Sequence, residues 1–154
     1  MQRTSFRDAT NQDGPAIQSL VFSILREYGL RPDPAFTDAD LDRVEEFYVQ
    51  NAGHFEVCTI EGNIVGTWGI LPLQKGRCEL RKMYLSRSAR GLGLGKQMLE
   101  RAIAWARSKG FTHIELETAS ILKEAINLYQ AYGFTPLKES PKVSRCDLTM
   151  ELAL

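Results

Sequence analysis

Ile17, Leu20, Val21, Ile24 and Leu25 recur at helical spacing, which predicts a helix capped by Asn11 or Asp13 and stopped near Gly29, after a short strand over residues 4–9. Pro32 and Pro34 interrupt the chain, and Thr37-Asp38-Ala39-Asp40 opens a second predicted helix with Leu41, Val44, Phe47 and Tyr48 on one stripe. From His54 the pattern turns β-branched and apolar. Residues 55–60 and 64–71 read as a hairpin about Glu61-Gly62-Asn63, and Gly76 marks a turn before a strand over residues 78–86. Leu94, Met98, Leu99, Ala102, Ile103 and Ala106 then form one apolar stripe of a helix closed by Lys109-Gly110. Residues 113–118 alternate as a half-buried strand, a helix over 121–132 ends at Gly133, and residues 146–152 make a last strand.

The order is α+β: meandering strands first, then one strand–helix–strand unit, with no linker or repeat to divide residues 1–154, so a single domain is expected. Nineteen basic residues balance nineteen acidic ones, which argues against a domain that grips nucleic acid through its overall field. No apolar run is long enough to span a bilayer and the N-terminus lacks a signal-peptide core, so a cytoplasmic protein without membrane partners is expected. Cys58, Cys78 and Cys146 are odd in number, and neither His54 nor His113 stands at ligand spacing, so no metal is expected. The cysteines read as reduced, buried strand thiols, with a catalytic Cys–His pair as the rarer alternative.

The densest chemistry lies in Arg90-Gly91-Leu92-Gly93-Leu94-Gly95-Lys96, between a strand and a helix. Glycines let backbone amides turn inward, and the following helix adds unsatisfied N–H groups and a positive dipole end, so a di- or polyphosphate is the natural occupant. A Walker loop would need glycine at Arg90 and Ser or Thr at Gln97, and a dinucleotide fingerprint from Gly91 would need a small residue at Lys96. Arg-x-x-Gly-x-Gly, carried by Arg90, Gly93 and Gly95, does fit. With Glu79 to Leu85 before it, and Ala125-Ile126-Asn127-Leu128-Tyr129-Gln130-Ala131-Tyr132-Gly133-Phe134 after it, the chain resembles the GNAT superfamily of N-acetyltransferases from about Val57 to Phe134.

That resemblance implies a GNAT fold, a mixed central sheet flanked by helices, and acetyl-CoA as donor substrate. The amides of Gly91, Leu92, Gly93, Leu94, Gly95 and Lys96, with the charge of Arg90, would hold the pyrophosphate. The Met83-Tyr84-Leu85 segment would pair with the pantetheine amides like an added strand, which calls for a bulge near Met83 to Leu85. Many relatives carry an Asn where this chain has Leu122; Asn127 stands nearby and is the candidate for the cofactor arm.

For chemistry the candidates are Glu79 as general base and, as the resemblance implies, Tyr129 as general acid toward the departing thiolate. Period-2 alternation puts Glu79 on one face with Arg81 and Met83, and the resemblance points to an acidic residue there. The competing readings are a glutamate salt-bridged to Arg77 or Arg81, and a tyrosine packed with Leu128 and Phe134. Glu117 is the second candidate base. Asp38, Asp40, Asp42, Glu45 and Glu46 either attract a cationic acceptor or form a solvated helix face, and Trp68 either lines a pocket or fills the core. The expected activity is acetyl transfer from acetyl-CoA to a primary amine, of a small molecule or a protein, by direct attack in a ternary complex. The alternative is an acyl-CoA-binding module without turnover. A monomer or homodimer is expected.

Overall fold

A computed structural model describes residues 2–154. Seven strands form one sheet in the order β1-β2-β3-β4-β5-β7-β6, the elements being β1 Thr4–Asp8, α1 Gly14–Glu27, α2 Val44–Phe47, β2 His54–Ile60, β3 Asn63–Pro72, β4 Arg77–Leu85, α3 Leu94–Ser108, β5 His113–Thr118, α4 Lys123–Ala131, β6 Thr135–Leu137 and β7 Leu148–Ala153. β1 to β4 form an antiparallel meander, β4 and β5 are parallel around α3, and β7 runs antiparallel to both β5 and β6. This is the expected α+β order with its one strand–helix–strand unit.

Two apolar layers sandwich the sheet. On one face Ile17, Val21 and Leu25 of α1 join Leu41, Val44, Tyr48, Phe55 and Val57. On the other, all six residues of the predicted α3 stripe are buried with Cys58, Trp68, Cys78, Leu80, Ile114 and Met150. Trp68 therefore fills the core. The β2–β3 hairpin turns through Glu61 and Gly62, both at positive φ (+49° and +79°), the combination a two-residue primed turn needs.

Two expectations change. The helix predicted from Thr37 onward is three short pieces: a 3-10 turn at Ala39–Asp42, the four-residue α2, and another turn at Val49–Asn51. Arg43 (φ −142°, ψ 54°) leaves helical geometry between the first two; Leu41, Val44 and Tyr48 stay buried, while Phe47, expected on the same stripe, is exposed. Asp38 and Asp40 are not a solvated face. They are 0% and 1% exposed and turn inward onto cations of other elements. The second change is β6, which Pro136 hides from the sequence; as the outermost strand it tolerates the missing donor.

Glu56 ties β2 and β3 to α3 on one face of the sheet. It is 4% exposed, accepts from Trp68 Nε1 at 3.2 Å and Arg101 Nη2 at 2.9 Å, and faces His54 Nε2 at 3.8 Å. Burial alone would raise its pKa, but Arg101 and His54 outweigh it and hold the carboxylate at about 2. Asp8, His54 and Glu56 bring one potential ligand atom each within 4.8 Å of one another, but Arg101 already occupies the buried member. No helix among the described residues is long and apolar enough to cross a membrane.

A carboxylate whose folded pKa is depressed contributes stability above its unfolded value and loses that contribution as pH falls toward the folded value. Urea unfolding of wild type between pH 4.5 and 2 should therefore lose on the order of 3 kcal/mol that Glu56→Gln does not lose. Parallel acid limbs for the two proteins would show that Glu56 contributes nothing to the pH dependence.

Candidate active site

The site begins where β4 leaves its neighbour. β4 and β5 pair only at Arg77↔His113, Cys78↔Ile114 and Glu79↔Glu115, and beyond that point the strands diverge. The cause lies in β4 itself. Opposite β3 the register runs Thr67↔Tyr84 and then Gly69↔Arg81, so Lys82 and Met83 together face the single residue Trp68. This is a β-bulge, with Lys82 in the left-handed region at φ +53°. Thr67 Oγ1 donates to the Lys82 carbonyl at 2.7 Å, and Lys82 Nζ reaches Asp40 at 3.2 Å, Asp38 at 3.3 Å and the Thr37 carbonyl at 3.1 Å.

The bulge reverses the side-chain parity along β4. Cys78 and Leu80 pack toward α3, and past the bulge Met83 and Leu85 do so too, while Tyr84 joins the α1 layer. Met83 thus does not share a face with Glu79 and Arg81; simple alternation fails because one extra residue stands between them. The bulge itself lies at Lys82 and Met83, at the start of the stretch in which one was expected.

The wedge between the diverging strands opens into three adjoining cavities. The largest, about 260 Å³, is lined by Met83, Tyr84 and Leu85 of β4, by Arg90, Gly91, Gly93, Leu94 and Gly95 of the loop and the start of α3, and by α4 residues up to Tyr129. Gly91 and Gly93 have φ of +83° and +78°, and a Cβ on either would point into open space. The cradle is thus built by backbone that only glycine adopts readily, and it faces outward at the N-terminus of a 15-residue helix. Leu92 and Lys96 are exposed and outside the lining, and Asn127 faces solvent on α4. Arg90 lines the cavity, but its side chain donates to the Leu85 carbonyl (3.1 Å) and to Glu27 (2.7 Å), so much of its charge is already matched. Ile24 and Tyr28 at the end of α1 complete the wall; nothing in their spacing distinguishes them from ordinary helix-core residues.

The second cavity, about 50 Å³, sits inside the wedge between Leu80, Lys82, Met83 and Tyr84 on one side and Leu116, Glu117, Thr118 and Ala119 on the other. Tyr129 lines both this cavity and the large one. It is 6% exposed, its ring lies 5.6 Å from that of Phe134, and burial, with Tyr84 and Cys146 nearby, raises its pKa, so the phenol keeps its proton at neutral pH. Burial likewise pushes Tyr84 up to about 12. Cys146 lines the wedge as well, and burial, reinforced by Glu117, pushes its thiol up to about 11. That is the opposite of an activated nucleophile.

The third cavity, about 60 Å³, holds both candidate bases, Glu79 and Glu117, with Thr37, Arg81, Lys82, Val143 and Arg145. Glu117 accepts from the backbone N–H groups of Lys142 and Val143 at 2.9 and 3.0 Å, so its carboxylate is committed to holding the loop between β6 and β7. Glu79 has one ion-pair contact, 3.2 Å from Arg81 Nη1. Arg145 enters from the same loop and grips Asp38 with both terminal nitrogens (2.7 and 2.8 Å). The tail had offered no signal for this residue.

Comparison with known proteins agrees with this geometry. The family model described as acetyltransferase (GNAT) family matches residues 20–134. An Escherichia coli (strain K12) protein, described as uncharacterized N-acetyltransferase YjgM, is 41% identical over 138 residues, which are 86% of this chain and 83% of that one. Human N-acetyltransferase 8B is 29% identical over 82% of this chain, which spans 63% of the human protein. The solved acetyltransferase of GNAT family from Staphylococcus aureus Mu50 has a TM-score of 0.92 at 23% identity, covering 98% and 99% of the two chains. A solved acetyltransferase from Streptococcus agalactiae 2603 has a TM-score of 0.91 at 21% identity and full coverage of both chains. With the glycine cradle, the splayed strand pair and a family match across most of its length, the chain belongs to the acetyltransferase (GNAT) family.

Proposed function

We propose that this acetyltransferase moves the acetyl group of acetyl-CoA to the primary amine of a small molecule by direct attack in a ternary complex. One observation carries the reading: adjoining cavities run from the glycine cradle, past Tyr129, which lines two of them, to Glu79. The residues present fit acetyl-CoA. The cradle offers helix-terminal amides to a pyrophosphate, and the edge of β4 from Leu80 to Leu85, unpaired on the β5 side, offers main-chain partners to an extended amide-bearing arm. The small volume at the Glu79 end favours a small acceptor over a protein segment.

An alkylammonium with a pKa near 10 leaves roughly one molecule in a thousand neutral at pH 7, so a base at the acceptor end raises the reactive fraction. Glu79 takes that proton, the free amine forms a C–N bond to the thioester carbonyl carbon, and collapse breaks the C–S bond. Tyr129, protonated and at the junction of the two cavities, gives its proton to the leaving sulfur, and the second proton shed by the acylated nitrogen restores the phenol through solvent. Direct attack is supported by Cys146: the thiol in the wedge is held protonated and has no histidine among its neighbours, so an acetyl-cysteine intermediate has no activated nucleophile to form on.

Gly93→Asp should weaken acetyl-CoA binding at least tenfold, or ~1.4 kcal/mol, because its side chain projects charge and bulk into the open cradle. Calorimetric titration measures this, and unchanged affinity in a folded variant removes the cradle from the site. Glu79→Gln should lower kcat/KM about 100-fold at neutral pH with acetyl-CoA affinity nearly fixed and partial rescue at higher pH. An unchanged pH–rate profile moves the role to Glu117 or solvent. Tyr129→Phe should reduce kcat roughly 10-fold with little change in melting temperature. Full activity returns the phenol to packing, and thiol release absent with every amine, despite tight acetyl-CoA binding, makes the chain a binding module without turnover.

A further inference from the structure

Three cations line the acceptor-end cavity, and two of them are matched. Arg145 is held bidentate by Asp38, and Lys82 lies between Asp38 and Asp40 with the Thr37 carbonyl as a further acceptor. Arg81 differs. Its one carboxylate contact is the 3.2 Å one from Nη1 to Glu79, two residues away on the same strand, and its Nε is buried without a partner. Phe47 supports the guanidinium at 5.6 Å, and Tyr48 and Asp40 lie behind it, the Tyr48 hydroxyl donating to Asp40 while its oxygen stands close to Arg81.

A largely buried guanidinium with unfinished hydrogen bonding is costly unless a planar acceptor completes it, and a carboxylate is the group that matches its fork in two bonds. Glu79 cannot do so, because residues i and i+2 of one strand stand side by side rather than opposed. Resting on the transferase reading above, we propose that the acceptor is an amino-carboxylate, a small zwitterion of the α-amino-acid class, whose carboxylate takes the place of Glu79 on Arg81. The released Glu79 then faces the neighbouring ammonium. Two residues along a strand span about 6–7 Å, enough for an amine and a carboxylate on adjacent carbons to lie between the two side chains with a hydrogen bond at each end. Recognition and base release are thereby one event: an amine without the carboxylate leaves Glu79 paired to Arg81.

The test uses matched acceptors, L-phenylalanine against phenethylamine, L-leucine against isopentylamine and L-lysine against cadaverine, with thiol release from acetyl-CoA as readout. Wild type should favour the carboxylate-bearing member of at least one pair by about tenfold or more in kcat/KM. Arg81→Met should reduce that preference toward unity, mainly through KM, while Arg81→Lys, which keeps the charge but not the fork, should restore part of it. Acetyl-CoA titration of each variant shows that the donor site is still formed. Equal or better use of the decarboxylated amines by wild type, or a preference that survives Arg81→Met, overturns the proposal while leaving the transferase reading intact. No thiol release with any member of either set sinks both.

Discussion

The bulge at Lys82 and Met83 is the constraint on which the rest of the site depends. A lysine in the left-handed region costs on the order of 1–3 kcal/mol, and the structure holds it there from two sides. Thr67 binds its carbonyl from β3, and Asp38, Asp40 and the Thr37 carbonyl bind its ammonium from the segment between α1 and α2. The extra residue twists β4 out of register with β5 after three paired positions, and the wedge that results is the groove. It also turns Met83 and Leu85 toward α3 and Tyr84 toward α1, so the two walls of the groove belong to different layers of the fold.

The anchoring charges are buried, and that governs their role. Asp38 and Asp40 are almost wholly removed from water, a state tolerable only with cations and hydrogen bonds around them. Burial alone would raise the Asp38 pKa, but Arg145, the Asp33 amide and Lys82 outweigh it and hold the carboxylate below its ordinary value. Through this one carboxylate, three segments distant in sequence meet: the Asp33–Asp38 turn, the β4 bulge and the loop carrying Arg145. The end proposed for the acceptor is therefore walled by side-chain ion pairs. The cradle end is made of backbone.

That difference in construction suits two ligands of different kinds. A polyphosphate is recognised by amides and a helix dipole, which glycine geometry fixes within a few consecutive residues. An acceptor must be told from many similar amines, which calls for side chains gathered from several elements around a small volume. Tyr129 stands at the boundary, lining both cavities with its ring 5.6 Å from that of Phe134.

The α3 stripe, the β2–β3 turn, the β4–α3–β5 unit and the Arg-x-x-Gly-x-Gly cradle were all legible in the sequence, because each rests on interactions between residues close along the chain or on a periodicity that burial enforces. Glu79 and Tyr129 could be nominated from position and resemblance. Their surroundings could not. The parity reversal at Met83 depends on pairing with a strand 15 residues away, and the burial of Asp38 and Asp40, the paired state of Arg90 and the arrival of Arg145 depend on contacts between segments 40 to more than 100 residues apart. Local pattern reports which face a residue prefers. Only the folded chain decides which charge meets which, because ion-pair geometry is set by the packing of whole elements and leaves no period in the sequence to read.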